Sequence, residues 1–348
     1  MVQESILWCR IVVKESWDLL KPSCQGQMKV ILFTENPPPH WSELCSQNGD
    51  IFNAPEWHTV LSKGFGSNTL YGWDESTSTG LTVTIFKAGP FRIGYLAFPV
   101  GGCLPAEAIS PHIIEVMRNS DLNKTIHLLR MPASAFVQKE ILCCPAQATL
   151  ETTIESLQEW DLTELSYNLQ KAVKRAGRSP LKIVDAVNPS QGSVLFQFYK
   201  DTIKRHGGNM RYTEKYFQAL IELSRTHSNL RCVLAMSGGE IAGFLAVGLH
   251  QNTAYDLHCC MNMQFRRYNP SDLLTAFSIS WAKGEGMERY NLGSSPLKQA
   301  SLIAYKEKWG GATREQQTYE LALRPVQAAI FNASATLYER ARKLLRFE

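Results

Sequence analysis

A chain of 348 residues is too long for one small module and fits two domains. With 44% hydrophobic and 20% charged residues it is neither disordered nor fibrous. A net charge of +4 does not require a nucleic-acid partner, though it would not oppose an anionic ligand. The 9 cysteines include no C-x-x-C pair; the doublets Cys143-Cys144 and Cys259-Cys260 read as reduced, packed thiols rather than a disulfide frame or a zinc centre. The opening residues MVQESILWCR lack the pattern of a signal peptide, and no run approaches the ~18 apolar residues of a membrane span. The expectation is a cytoplasmic protein with no membrane span and no metal.

The first 150 residues are strand-rich and broken by turns. Ile6–Val13 reads as a strand and the Pro-rich stretch 34–40 as a loop. Pro55 suits the first turn of a short helix over Ala54–Leu61. Leu81–Lys87 and Arg92–Phe98 read as strands around Ala88-Gly89-Pro90, Pro105–Asn119 as a helix and Thr125–Leu129 as a strand. From about Thr149 the pattern alternates more regularly. Asp161 and Glu164 resemble a capping box opening a helix, with Leu162, Leu165, Leu169, Ala172 and Val173 on its apolar face and Gly177 at its stop. A strand at Leu181–Ala186 precedes helices Ser190–His206 and Thr213–His227, joined across Gly207-Gly208. Three strands follow, Leu230–Met236, Glu240–Leu249 and Thr253–Cys260, the first two around the turn Ser237-Gly238-Gly239. Then come a helix from Pro270 to Gly284, a strand Arg289–Leu292, a helix Leu297–Trp309, a strand Thr318–Leu323 and an amphipathic C-terminal helix. This order is α/β with mixed sheets, expected as two halves, 1–150 and 151–348, that meet near 145–160.

Several stretches stand in a fixed order: Thr253–Asp256 (TAYD), Arg266–Leu274 (RRYNPSDLL), Trp281-Ala282, Arg289–Gly293 (RYNLG) and Ile303–Gly310 (IAYKEKWG). With IFNAPEWHTVL at 51–61, Tyr95–Gly102 (YLAFPVGG) and the helical stretch Leu162–His206, this set resembles the duplicated-GNAT superfamily. That superfamily includes the Fem-type peptidoglycan aminoacyltransferases and the FemAB-like acetyltransferases. The likeness runs from about residue 50 to 323. It implies two tandem GNAT-like domains with a cleft between them, the first on the acceptor side and the second on the acyl-donor side. The chain departs from the pattern in three places. Lys63 is only loosely placed after Trp57, the coiled-coil insertion of some Fem proteins has no counterpart, and RRYNPSD replaces the glycine-rich pyrophosphate loop.

Arg266, Arg267, Asn269 and Ser271 lie at the start of a helix with Pro270 in its first turn. Free amides, the positive helix end and two guanidiniums suit a donor phosphate; the plainer reading is a solvated loop with an N-cap. Asp256 and His258 are expected on one face of a strand, with Leu257 on the other, where a carboxylate and an imidazole could orient an amine and take its proton. By resemblance, Lys306 matches a lysine that stabilises the negative charge developing during acyl transfer, and Tyr305 binds the donor or protonates a leaving group. Trp57 and Phe98 are expected beside the acceptor, and Arg211 and Tyr212 along the cleft, with a capping turn at Thr213 as the alternative.

The resemblance implies an N-acyltransferase. It would move an acyl or aminoacyl group from acyl-CoA or aminoacyl-tRNA, as co-substrate rather than bound cofactor, to the amine of a small-molecule, sugar or peptide acceptor. The alternative is a non-catalytic, degenerate GNAT-like binding module, for which the lost glycine loop argues. The sequence names neither the acceptor nor the oligomeric state.

Overall fold

The computed structural model describes residues 32–74, 79–104, 111–132, 145–206, 208 and 210–344. The strand expected at Ile6–Val13, the Cys143-Cys144 doublet and the beginning of the helix expected from Pro105 lie outside them.

The first half is built from antiparallel neighbours: β1 (Leu32–Thr34), β2 (Asn68–Asp74), β3 (Thr79–Ala88) and β4 (Phe91–Leu96). Gly89 turns β3 into β4 with a φ of 60°, a left-handed conformation that glycine adopts without strain. β5 (Leu128–Pro132) then lies parallel to β4. The second half supplies β6 (Pro145–Ile154), β7 (Lys182–Asp185), β8 (Leu230–Ser237), β9 (Glu240–His250), β10 (Thr253–Met261), β11 (Arg289–Pro296) and β12 (Ala312–Ala322). Among the described residues, the twelve strands form one sheet in the order β1-β2-β3-β4-β5-β12-β6-β11-β10-β9-β8-β7. β12 is antiparallel to both of its neighbours, β5 and β6. The stretches on either side of residue 150 therefore share an unbroken sheet, sealed by a strand from near the end of the chain. The architecture is the α/β class with mixed strand directions.

Helices cover both faces. On one face α1 (Trp41–Asn48) and α2 (Pro55–Phe65) join α6 (Gly192–His206) and α7 (Glu214–Ser224) around a core that includes Trp41, Phe52, Trp57, Tyr216, Phe217 and Phe244. On the other, α3 (Pro111–Asn119) and α4 (Leu122–Thr125) cover the first half, against Leu81, Val83, Leu96 and Leu129. In the second half, α5 (Tyr167–Gly177) and α8 (Pro270–Gly284) pack on Leu245, Tyr290 and Leu292. Trp309, just beyond α9 (Ala300–Glu307), completes that layer. α10 (Pro325–Leu344) returns to the first half, with Ala328 and Phe331 against Ile93 and Leu128.

Three local expectations are corrected. The Asp161 carboxylate accepts from the Thr163 amide two residues on, which closes a single 3-10 turn, and α5 begins only after Ser166. Residues 122–125 are helical rather than extended; Leu122 and Ile126, one helical turn apart, are both buried, and the strand starts at Leu128. α9 starts at Ala300 because β11 runs on through Pro296. Strands β1, β2 and β6 and helix α1 match no expectation from the sequence.

A candidate functional site between diverging strands

β10 and β11 are parallel, but they pair only at Thr253–Arg289, Ala254–Tyr290 and Tyr255–Asn291. Beyond this point both strands carry irregularities. β10 bulges at Leu257 while following β9, and β11 shifts register between Asn291 and Ser294 while following β6. A wedge therefore opens at the carboxyl ends of two parallel strands. Gly293 sits in its wall at a φ of 76°, with Asp256 O 3.4 Å from the place a Cβ would take. A side chain there would be strained by the backbone alone.

Lys306 enters the wedge from α9. Its side chain is buried, and Nζ donates to the carbonyls of Gly293 (2.8 Å) and Ser294 (3.0 Å), which leaves one N–H. Burial lowers its pKa, against the opposing pull of Asp256 and, more weakly, Glu151. Burial likewise raises the pKa of Asp256 across the wedge, and the Lys306 charge opposes the rise. Tyr305, the neighbour of Lys306, brings its hydroxyl to 3.4 Å from Thr275 Oγ1 on α8, with the Lys308 ammonium 4.0 Å from its ring centroid. Burial pushes the Tyr305 pKa well up, so it stays a phenol. Lys306, Asp256 and Tyr305 are thus brought together around one opening.

His258 is not with them. The bulge at Leu257 breaks the alternation, so Asp256 and His258 face opposite sides of the sheet. His258 lies among Tyr199, Tyr212, Tyr216 and Phe217, with Nε2 3.0 Å from the Tyr216 hydroxyl. That nest drives its pKa down to about 3 through desolvation. The expectation that it would work beside Asp256 is corrected.

Trp57 and Phe98 lie in the same aromatic layer, both buried, and Trp57 Nε1 donates to Phe98 O at 2.8 Å. Tyr212 stacks into the layer edge-on to His258, while Arg211 is exposed and donates its backbone N–H to the Tyr199 hydroxyl at 2.8 Å. Thr213 caps α7, its hydroxyl accepting from Tyr216 N–H (3.2 Å) and donating to Gly64 O (2.6 Å). Lys63 is engaged by Glu222 at 2.8 Å. These residues knit α2 to α7.

The turn before α8 is built without glycine. Asn269 adopts the left-handed conformation at φ 54°, which Asn tolerates better than most residues. The first helical bond, Leu273 N–H to Asn269 O, lies beyond the amides of Ser271 and Asp272. Arg266 and Arg267 are exposed on the preceding 3-10 turn; Arg267 stacks on Tyr268 and donates to its hydroxyl at 2.7 Å. Asp272 adds a carboxylate in the first helical turn, paired with Lys308 at 2.8 Å.

The sequence reading missed Glu151, Asn291 and Gly293. Glu151 accepts from Asn291, and the Asn291 Oδ1 accepts from Gly293 N–H, so the wedge wall is tied to β6. The alternation Thr149, Glu151, Thr153 opposite Leu150, Thr152, Ile154 was the available strand signal. Among the described residues no group of three or more His, Cys, Asp or Glu is placed to hold a metal, and no helix is long and apolar enough to cross a membrane.

Residues 164–307 match the acetyltransferase (GNAT) domain family. The fold is similar to the crystal structure of FemX, with 11% identity, a TM-score of 0.57, and coverage of 85% of this chain and 99% of that one. It is similar to L-PGS from Bacillus licheniformis at 14% identity and a TM-score of 0.53, covering 88% and 98% of the two chains. A tandem GNAT protein from the clavulanic acid biosynthesis pathway aligns at 9% identity and a TM-score of 0.53, over 84% and 98% of the chains. No curated protein matches the sequence.

Proposed function

We propose that the chain, whose residues 164–307 match the GNAT acetyltransferase domain family and whose fold is similar to those of FemX and a tandem GNAT protein, is an N-acyltransferase of the FemAB-like duplicated-GNAT type acting at the β10–β11 wedge. The observation that carries this reading is the buried Lys306 ammonium, held on two backbone carbonyls across from Asp256. The activated carbonyl of the donor enters the wedge and a neutral amine attacks it. The C–N bond forms, the negative charge passes to the carbonyl oxygen, and the remaining N–H of Lys306 meets it there. Collapse breaks the thioester or ester bond. The raised pKa of Asp256 suits it to accept the proton the amine gives up, and the Tyr305 phenol is a hydrogen-bond donor for the leaving atom.

Acyl-CoA and aminoacyl-tRNA both carry phosphate, which the amides of Ser271 and Asp272 with Arg266 and Arg267 would receive. The acceptor is an amine of a small molecule, sugar or peptide. Incubation with acetyl-CoA or charged tRNA and a panel of amines, read by mass, tests the reading. An acylated product that disappears in Lys306→Ala supports it. Donor binding without product from any amine would favour the binding-module alternative, for which the two carbonyl bonds of Lys306 supply a purely structural role.

A further inference from the structure

The face of the sheet that carries Tyr255 has an uncovered stretch over β6, β10, β11 and β12. A cavity of about 190 Å³ lies there, lined by Glu151, Thr153, Tyr255, Arg289, Asn291 and Gln316 among others. At ~30 Å³ per water it holds only a small molecule. Its charges are arranged unusually. Glu151 is half-buried, and its two oxygens accept from Asn291 Nδ2 (2.9 Å) and Gln316 Nε2 (3.1 Å). Two neutral amides fix the carboxylate, and it makes no ion pair with a described residue. Arg289, on the opposite wall, donates to the Asn252 side-chain oxygen (3.0 Å) and likewise makes no ion pair. The other guanidinium of the wall, Arg314, is already tied to Glu155 at 3.1 Å.

We propose that this cavity is the acceptor subsite and that the acceptor is a compact amine carrying its own anionic group, the ammonium held by Glu151 and the anion by Arg289. The proposal rests on the acyl-transfer reading above. The cavity adjoins the wedge through Asn291, which binds Glu151 with its amide nitrogen and Gly293 N–H with its oxygen, while the Gly293 carbonyl holds Lys306. Asp256 and Lys306 reach the wedge from the other face, so an amine held at Glu151 sheds its extra proton to water, enters the gap between β10 and β11 from the open face and meets Asp256 inside it. Arg289 precedes Tyr290, which pairs with Ile154, so it stands near the level of Glu155, four residues along β6 from Glu151. At ~3.3 Å per residue that is about 13 Å of strand, shortened by the reach of both side chains. The separation fits an amine and an acid several bonds apart rather than on one carbon.

The probes are 6-aminohexanoate, hexylamine and hexanoate, titrated calorimetrically into the full chain without donor. The amino acid should bind about tenfold more tightly than either single-charge analogue. Glu151→Gln should weaken 6-aminohexanoate and hexylamine by about tenfold and spare hexanoate. Arg289→Gln should bring 6-aminohexanoate to the level of hexylamine. Equal binding of the three probes, no binding of any, or indifference to both substitutions overturns the subsite. Arg289 is exposed, so its variant decides the matter if Glu151→Gln disturbs the sheet. Thiol release from acetyl-CoA is read separately. Charge-dependent binding with neither thiol released from acetyl-CoA nor tRNA released from its aminoacyl ester upholds the binding site and sinks acyl transfer. Release that ignores Glu151 and Arg289 keeps acyl transfer and overturns the subsite.

Discussion

Lys306 serves two purposes that a substitution separates. Its Nζ satisfies the Gly293 and Ser294 carbonyls, so Lys306→Ala leaves two acceptors without their donor and should cost about 1–3 kcal/mol of stability. Its remaining N–H meets charge that exists only in the transition state, so kcat should fall about 10²-fold while donor Kd stays put. Denaturant unfolding and single-turnover kinetics on the same variant read the two effects, and wild-type turnover would return the residue to a structural role. His258 gives a second test at this scale. Its folded pKa of about 3 lies below the ordinary 6.5, so the unfolded chain binds the extra proton. The stability it contributes is complete above 6.5 and is lost as pH falls toward 3. Between those limits the loss is about 1.4 kcal/mol per pH unit. Buried His58, lowered to about 4, adds a similar slope, whereas Asp50, raised to about 6 by burial, opposes it as pH falls below that value. The difference in acid slope between the wild type and His258→Phe isolates the share of His258; identical slopes would refute it. Lys306, Asp256 and Tyr305 were legible because their motifs stand in a recognisable order. The separation of His258 from Asp256 was not, because the bulge at Leu257 carries no Gly or Pro to announce it.

Elements were readable where punctuation was strong. Pro270 and the polar turn before it place the start of α8, and Ser237-Gly238-Gly239 places the β8–β9 hairpin. The close approach of α2 and α7 had no such marker. A Cβ on Gly64 would come within 2.8 Å of the Tyr216 Cα, a contact with backbone that cannot swing aside. Gly64→Ala should therefore push the helices apart and cost about 1–3 kcal/mol, seen as a lowered Tm; an unchanged Tm would show that the crossing yields freely. At the amino end of α8, Arg266→Ala should raise donor Kd several-fold and leave the rate of the bound complex nearly unchanged, since phosphate contacts are alike in ground and transition states. Equilibrium titration beside single-turnover rates checks both halves of that statement.

Across the whole molecule, the strand order is the part that local sequence cannot express. β12 borders β5 and β6 through pairings that span about half of the chain: Arg130 with Glu320, 190 residues apart, and Thr152 with Thr313, 161 apart. Hydrophobic periodicity identifies a strand but not its neighbour. Cutting between β5 and β6 therefore leaves β5 with an open edge in the first fragment. Fragments 1–140 and 141–348 should be insoluble when made apart and should co-purify when made together; two soluble, folded fragments that ignore each other would contradict the shared sheet. The same seam bears on how the protein is made. The ribosome delivers β5 long before β12, and at roughly 5–20 residues per second those 190 residues take about 10–40 s. For that interval one side of β5 has no partner, in a nascent chain already rich in strands, and that edge is open to pairing with other chains until β12 emerges.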